Sequence, residues 1–160
     1  MSAETIRTEF AIRRLSALYA QSVDRGDSNV FAELFTEDAV LDGPGRLFSG
    51  KEEIRKIPQT VKTRYIATRH ELCGQVLAID GVVATGETYC NAKHILSKED
   101  GRATLQILSI RYQDKYRRDS GSWLIAHRRL VIDWMETRNV DLASAPAVPG
   151  DATYIHKIGD

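Results

Sequence analysis

The sequence predicts an α+β domain in which N-terminal helices cover a strongly curved antiparallel sheet shaped as a cone. Three observations carry this. Apolar residues recur at helical spacing up to about residue 25, the period changes to two from about residue 66, and helices precede strands instead of alternating with them. With 160 residues, 42 % of them apolar, the chain is long enough to bury one sizeable core. We place the domain at residues 1–136 and a C-terminal tail at 137–160. The tail carries APAVPG and is expected to be irregular or draped on a neighbouring subunit.

The first helix is read over about residues 4–25, with Ile12, Leu15, Tyr19, Ser22 and Val23 on one face and Gly26 as its stop. Asp27 or Ser28 can cap a short second helix through VFAELF, closed at Thr36-Glu37-Asp38. AVLD then starts an extended segment, and DGPGRLFSG reads as a loop. Gly50-Lys51-Glu52-Glu53-Ile54 opens a third helix that Pro58 ends or interrupts. RHELCGQVLAID and GVVATGETYCNAKHI form a hairpin about Asp80-Gly81, a strong turn signal. TLQILSIRYQDKYRR and SWLIAHRRLVIDW follow as two long strands joined by DSGS.

Composition excludes several classes of function. Basic and acidic residues number 22 each, so the chain lacks the bias of a nucleic-acid or membrane-surface partner. The N-terminus threads acids and arginines together, unlike a secretory signal, and no apolar run approaches a membrane span; a cytoplasmic location is expected. Cys73 and Cys90 fall in strands and read as small buried thiols. His70, His94, His127 and His156 lack metal-site spacing, and no glycine-rich phosphate loop is present, so neither metal nor organic cofactor is expected.

Two features point to chemistry. Asp24 lies in the last turn before Gly26, where the helix macrodipole disfavours a carboxylate by a few tenths of a kcal/mol to about one. In the hairpin, an unbulged register about Asp80-Gly81 pairs Ile79 with Val82, so His70 faces Asn91 and Leu72 faces Tyr89 on one surface. On the last strand, alternation puts Ala126, Arg128, Leu130, Ile132 and Trp134 together, with Arg129 on the opposite face beside Ile125 and His127. An arginine on that apolar face needs an anionic partner or a ligand.

The order YAQSVDRGD, LFTEDAVLD, GKEEI, TRHELCG, and IRYQDKYRRDSGSW with IAHRRLVIDW resembles the SnoaL-like branch of the nuclear transport factor 2-like (cystatin-like) fold over about residues 6–136. That group includes scytalone dehydratase, hexachlorocyclohexane dehydrochlorinase, bile-acid 7α-dehydratase and the polyketide cyclases. The resemblance implies Asp24 and His70 as a catalytic pair with Tyr19 beside them, and an arginine on the last strand, best matched by Arg128 with Arg129 as fallback. It also implies a homo-oligomer, trimer before dimer. The chain departs from the bile-acid enzyme where that has a second acid; Asn91 and Lys93 are nearby here.

The function so implied is a cofactor-independent lyase. An Asp-His base would remove a proton from a small hydrophobic cyclic or aromatic hydroxylated compound, with loss of water or retro-aldol cleavage. Asn91, Arg128, Tyr89, Leu72, Leu41, Leu130 and Trp134 are the expected substrate contacts. The alternatives are an isomerase or cyclase with the same base, or a non-catalytic subunit like the small subunits of ring-hydroxylating dioxygenases.

Overall fold

The computed structural model describes residues 2–97 and 103–141. Helix α1 spans Ala3–Arg25 and starts at Ser2, whose side chain accepts a hydrogen bond from the Thr5 N–H. Its buried stripe includes Ile12, Leu15, Tyr19 and Val23, as the spacing predicts. Gly26 ends it with φ 70°, a left-handed conformation that costs a glycine little. Helix α2, Ser28–Ala32, is capped by Asp27, whose Oδ1 accepts from the Val30 N–H at 3.0 Å.

Strand β1, Phe35–Gly43, begins earlier than expected and takes in Thr36–Asp38, which the sequence assigns to a helix end. Phe35 lies beside Ile125 and both are fully buried, so sheet burial overrides the local pattern. The expected loop DGPGRLFSG is a second hairpin: β2, Arg46–Ser49, folds back on β1 about a turn in which Gly45 has φ 74°. Helix α3 is Lys51–Ile54 and α4 is Ile57–Arg64. Pro58 therefore starts a helix instead of ending one; in the first turn its missing N–H removes no intrahelical bond.

Strands β3 (Ala67–Asp80), β4 (Val83–Ser97), β5 (Ala103–Asp119) and β6 (Ser122–Val140) follow. Strand β6 passes the boundary expected at residue 136, and residues 142–160 of the expected tail lie outside the described residues. The sheet runs β2-β1-β6-β5-β4-β3, curved and unclosed, with β3 on one edge. All neighbours are antiparallel except β1 and β6, which run parallel, so the α+β sheet is mixed. The helices sit on one face, and Ile12, Tyr19, Phe31, Phe35, Tyr112 and Ile125 form the centre of the core between layers.

Three bulges decide which side chains face that core. In β3, Cys73 is the extra residue, and the hairpin turn is Gly81-Val82, with Asp80 opposite Val83. The two changes together put His70 opposite Ala92 and Leu72 opposite Cys90. Tyr89 and Asn91 therefore lie on the outer face, contrary to the expected pairing. In β6, Ala126 is extra, which brings Ile125 onto the Arg128 face, and Asp133 is extra, which turns Trp134 outward and Met135 inward. Arg128 is fully buried, whereas Arg129 is exposed.

Among the glycines of the strands, Gly86 has the least room for a side chain. A Cβ there would lie 2.6 Å from Leu77 Cδ2, 3.1 Å from the Val76 carbonyl oxygen and 3.3 Å from the Tyr116 ring. Gly86→Val is expected to lower stability by about 1–3 kcal/mol in urea unfolding, through forced displacement of those neighbours.

Candidate active site

Asp24 occupies the last turn of α1, and β3 passes directly beside it. Because β3 is an edge strand, the N–H of His70 has no strand partner on that side; it donates to Asp24 Oδ2 at 2.9 Å. The His70 ring turns back to the same carboxylate, with Nδ1 2.7 Å from Oδ1. Thr68 Oγ1 donates to Oδ1 at 2.8 Å. Both dyad side chains are nearly buried, 8 % exposed for His70 and 5 % for Asp24.

Burial works against the ionised form of Asp24, but the hydrogen bonds from His70 and Thr68 outweigh it and hold the carboxyl below its usual value of 3.8. An ionised carboxylate only accepts, so the proton of the 2.7 Å contact belongs to Nδ1. In the neutral imidazole the other ring nitrogen, Nε2, then carries the lone pair. Asp24, His70 and Leu72 border a cavity of about 390 Å³ together with Ala17, Ala20, Gln21 and Arg69. A larger hollow of about 770 Å³ lies on the outer sheet face among Val76, Tyr89, Lys115 and His127, and holds neither dyad member.

His94 was not among the expected site residues, yet its ring meets that of His70 edge to face at 5.7 Å and stacks on Tyr65 at 4.3 Å. Strand alternation could have found it: once Cys73 is recognised as a bulge, Cys90, Ala92 and His94 form the inward row. It is buried, and its Nδ1 has no hydrogen-bond partner. Burial, reinforced by the nearby His70, pushes its pKa down to about 4.

Arg128 and Tyr19 form a second cluster, apart from the dyad. The guanidinium is fully buried and grips Asp114 with two bonds, Nε to Oδ1 at 2.8 Å and Nη2 to Oδ2 at 2.7 Å. It lies 4.1 Å from the Tyr19 ring centre and 4.5 Å from that of Tyr112, a cation held between two aromatic faces. Tyr116 donates to Asp114 Oδ2 at 2.6 Å. Burial, tempered by Arg128, pushes the Tyr19 phenol up to about 12. The anionic partner that an arginine on this face requires is thus Asp114, a residue the sequence reading did not single out.

Of the other expected contacts, Leu41 is buried beside Arg128, and Leu130 packs half-buried against the core. Asn91 bonds Cys73 Sγ and Ser109 on the outer face. Tyr89 and Trp134 are 48 % and 66 % exposed there. Cys73 is exposed, not buried as expected; Cys90 is buried. Among the described residues no three His, Cys, Asp or Glu side chains gather as a metal ion would need, and no helix is long and apolar enough to cross a membrane.

Helices over the inner face of a curved, open sheet define the class of cone-shaped α+β proteins of the cystatin-like kind. Within it, the profile of the SnoaL-like domain matches residues 4–129, and the chain belongs to that family. No curated protein sequence matches the chain. Among solved structures it is similar to an aspartate-to-asparagine variant of Rv3472, a protein of unknown function from Mycobacterium tuberculosis. That likeness has 29 % identity and a TM-score of 0.69, covering 91 % of this chain and 79 % of the other. A candidate scytalone dehydratase from Novosphingobium aromaticivorans has 22 % identity and a TM-score of 0.75, with 91 % and 95 % coverage. Hexachlorocyclohexane dehydrochlorinase LinA-type3 from Novosphingobium barchaimii has 19 % identity and a TM-score of 0.73, with 91 % and 97 % coverage.

Two outcomes follow from this geometry. Arg128→Met and Asp114→Asn, each leaving one buried charge or polar group without its partner, are expected to cost about 3–5 kcal/mol in thermal or urea unfolding; replacing both with apolar residues costs less than the two single changes combined. The His94 effect depends on pH. Its folded value of about 4 lies below the ordinary 6.5, so its contribution is fully present above pH 6.5 and is lost as pH falls toward 4. His94→Gln should therefore flatten the decline of stability across that window, where the wild-type slope from this group reaches at most about 1.4 kcal/mol per pH unit.

Proposed function

We propose that this protein is a lyase that removes water from a small, hydrophobic, cyclic or aromatic hydroxylated compound, with His70 as its base. The observation that carries the reading is the 2.7 Å contact between His70 Nδ1 and Asp24 Oδ1, which leaves Nε2 as a proton acceptor at the border of a cavity. The dehydratase and dehydrochlorinase descriptions of structural neighbours support the same class of chemistry.

In the proposed reaction, His70 Nε2 takes a proton from a carbon next to a carbonyl, and the Asp24 carboxylate stabilises the imidazolium that forms. The electron pair left behind forms the new double bond as the hydroxyl departs. The imidazolium returns its proton to that hydroxyl, which leaves as water and restores the base. Arg128 and Tyr19 keep to their own buried cluster and bind no substrate anion in this reading, because Asp114 already neutralises the arginine. The same base could shift a double bond and return the proton to carbon. The two reactions are separated by product mass, since an isomerase leaves it unchanged.

The test is turnover of hydroxylated cyclic ketones and phenolic compounds, followed by mass spectrometry for a product lighter by one water. His70→Gln and Asp24→Asn are each expected to reduce kcat by about a thousandfold with little effect on the fold. Full activity in His70→Gln would sink the assignment. Retained tight binding without turnover in the wild type would make the chain a binding subunit.

A further inference from the structure

Asp24 accepts three hydrogen bonds, and one comes from a residue outside the dyad. Oδ1 takes both the His70 Nδ1–H at 2.7 Å and the Thr68 hydroxyl at 2.8 Å, while Oδ2 takes the His70 backbone N–H at 2.9 Å. The two bonds from His70 hold one carboxylate oxygen each, both through a single residue. Thr68 approaches from a different backbone position, two residues earlier on β3, and adds a second donor to the oxygen that faces the ring Nδ1. It is buried, and it stands opposite His94 in the sheet.

The residue type fits the task. A threonine in a strand is stiff at χ1, so its hydroxyl points in one direction without further support. The hydroxyl donates its single proton to Oδ1, and Nδ1–H donates to the same oxygen. An oxygen with two donors facing it has no place for a proton of its own.

We infer that Thr68 is a positioning residue that locks the Asp24–His70 pair in one protonation pattern: carboxylate ionised, proton on Nδ1, lone pair on Nε2. Thr68 touches no reacting atom and acts through Asp24. The inference deepens the proposed function, since the pattern it secures is the one a base at Nε2 requires. The arrangement nevertheless exists without substrate and can be read without turnover.

Nitrogen-15 NMR of the imidazole rings in the full chain, at a pH where His70 is neutral, reports which nitrogen carries the proton. The wild type is expected to show Nδ1 protonated and Nε2 bare. Thr68→Val keeps the side-chain shape and removes the hydroxyl; it should move the tautomer ratio toward parity by about tenfold, the effect of losing one hydrogen bond to a charged group. Thr68→Ser should restore the wild-type spectrum. If the valine variant does not fold, Thr68→Ala is read in its place. An unchanged ratio without the hydroxyl overturns the inference, as does a serine variant that fails to restore it. Loss of turnover in His70→Gln with an unchanged tautomer ratio in Thr68→Val would overturn the role of Thr68 alone. The reverse pair of results would overturn the lyase reading and leave the role of Thr68 standing.

Discussion

The arrangement depends on a carboxylate that holds one histidine twice. Asp24 takes the backbone N–H of His70 with one oxygen and its ring N–H with the other. The first bond satisfies a donor that the edge of the sheet leaves unpaired, and the second orients the imidazole. An edge strand is usually a liability because its free N–H groups invite another strand. Here one of those groups joins helix α1 to strand β3, and the same contact builds the site. This also accounts for an acid at the unfavourable end of a helix: a dipole cost of about 1 kcal/mol or less is offset by three hydrogen bonds to a charged acceptor, each worth about 1.5–3 kcal/mol.

The second buried charge follows a different logic. Arg128 and Asp114 neutralise each other inside the core, with Tyr19 and Tyr112 on the faces of the guanidinium. Replacing such a pair with apolar residues is often harmless, so the pair is weak evidence for stability in itself. What it does supply is fixed geometry. Tyr19 is clamped beneath the arginine, and Tyr19 sits on the same helix as Asp24. The pair thus fixes the rotation of α1 from which Asp24 reaches β3.

Sequence reading recovered the α+β order of elements, the helix ending at Gly26, and the meeting of Asp24 with His70. The first two rest on long periodic segments and on one glycine that can take a positive φ, and the third was implied by the family resemblance. It misplaced what depends on single inserted residues. Cys73, Ala126 and Asp133 each shift one strand by a residue, and in a sheet such a shift moves every following side chain to the other face. Tyr89, Asn91 and Trp134 were read inward for that reason alone. Gly74 beside Cys73 is a local sign of a bulge that the reading passed over, whereas no glycine or proline stands next to Asp133. The second hairpin at Pro44-Gly45 was missed for a related reason: β2 is too short to show a period, and only its pairing to β1 makes it a strand.

The bulges also explain why the site is polar where it is. Without the one at Cys73, continued alternation from His70 would bring Gly74 and Val76 inward and turn Gln75 to the outside. With it, Gln75 faces the core and donates toward Ser16, Thr88 and Tyr116. Tyr116 in turn donates to Asp114, the partner of Arg128. A run of hydrogen bonds therefore leads from helix α1 through Gln75 to the buried ion pair, on the far side of the same bulge from His70. One inserted residue thus brings Gln75, which ties the ion pair to α1, onto the same face as the imidazole.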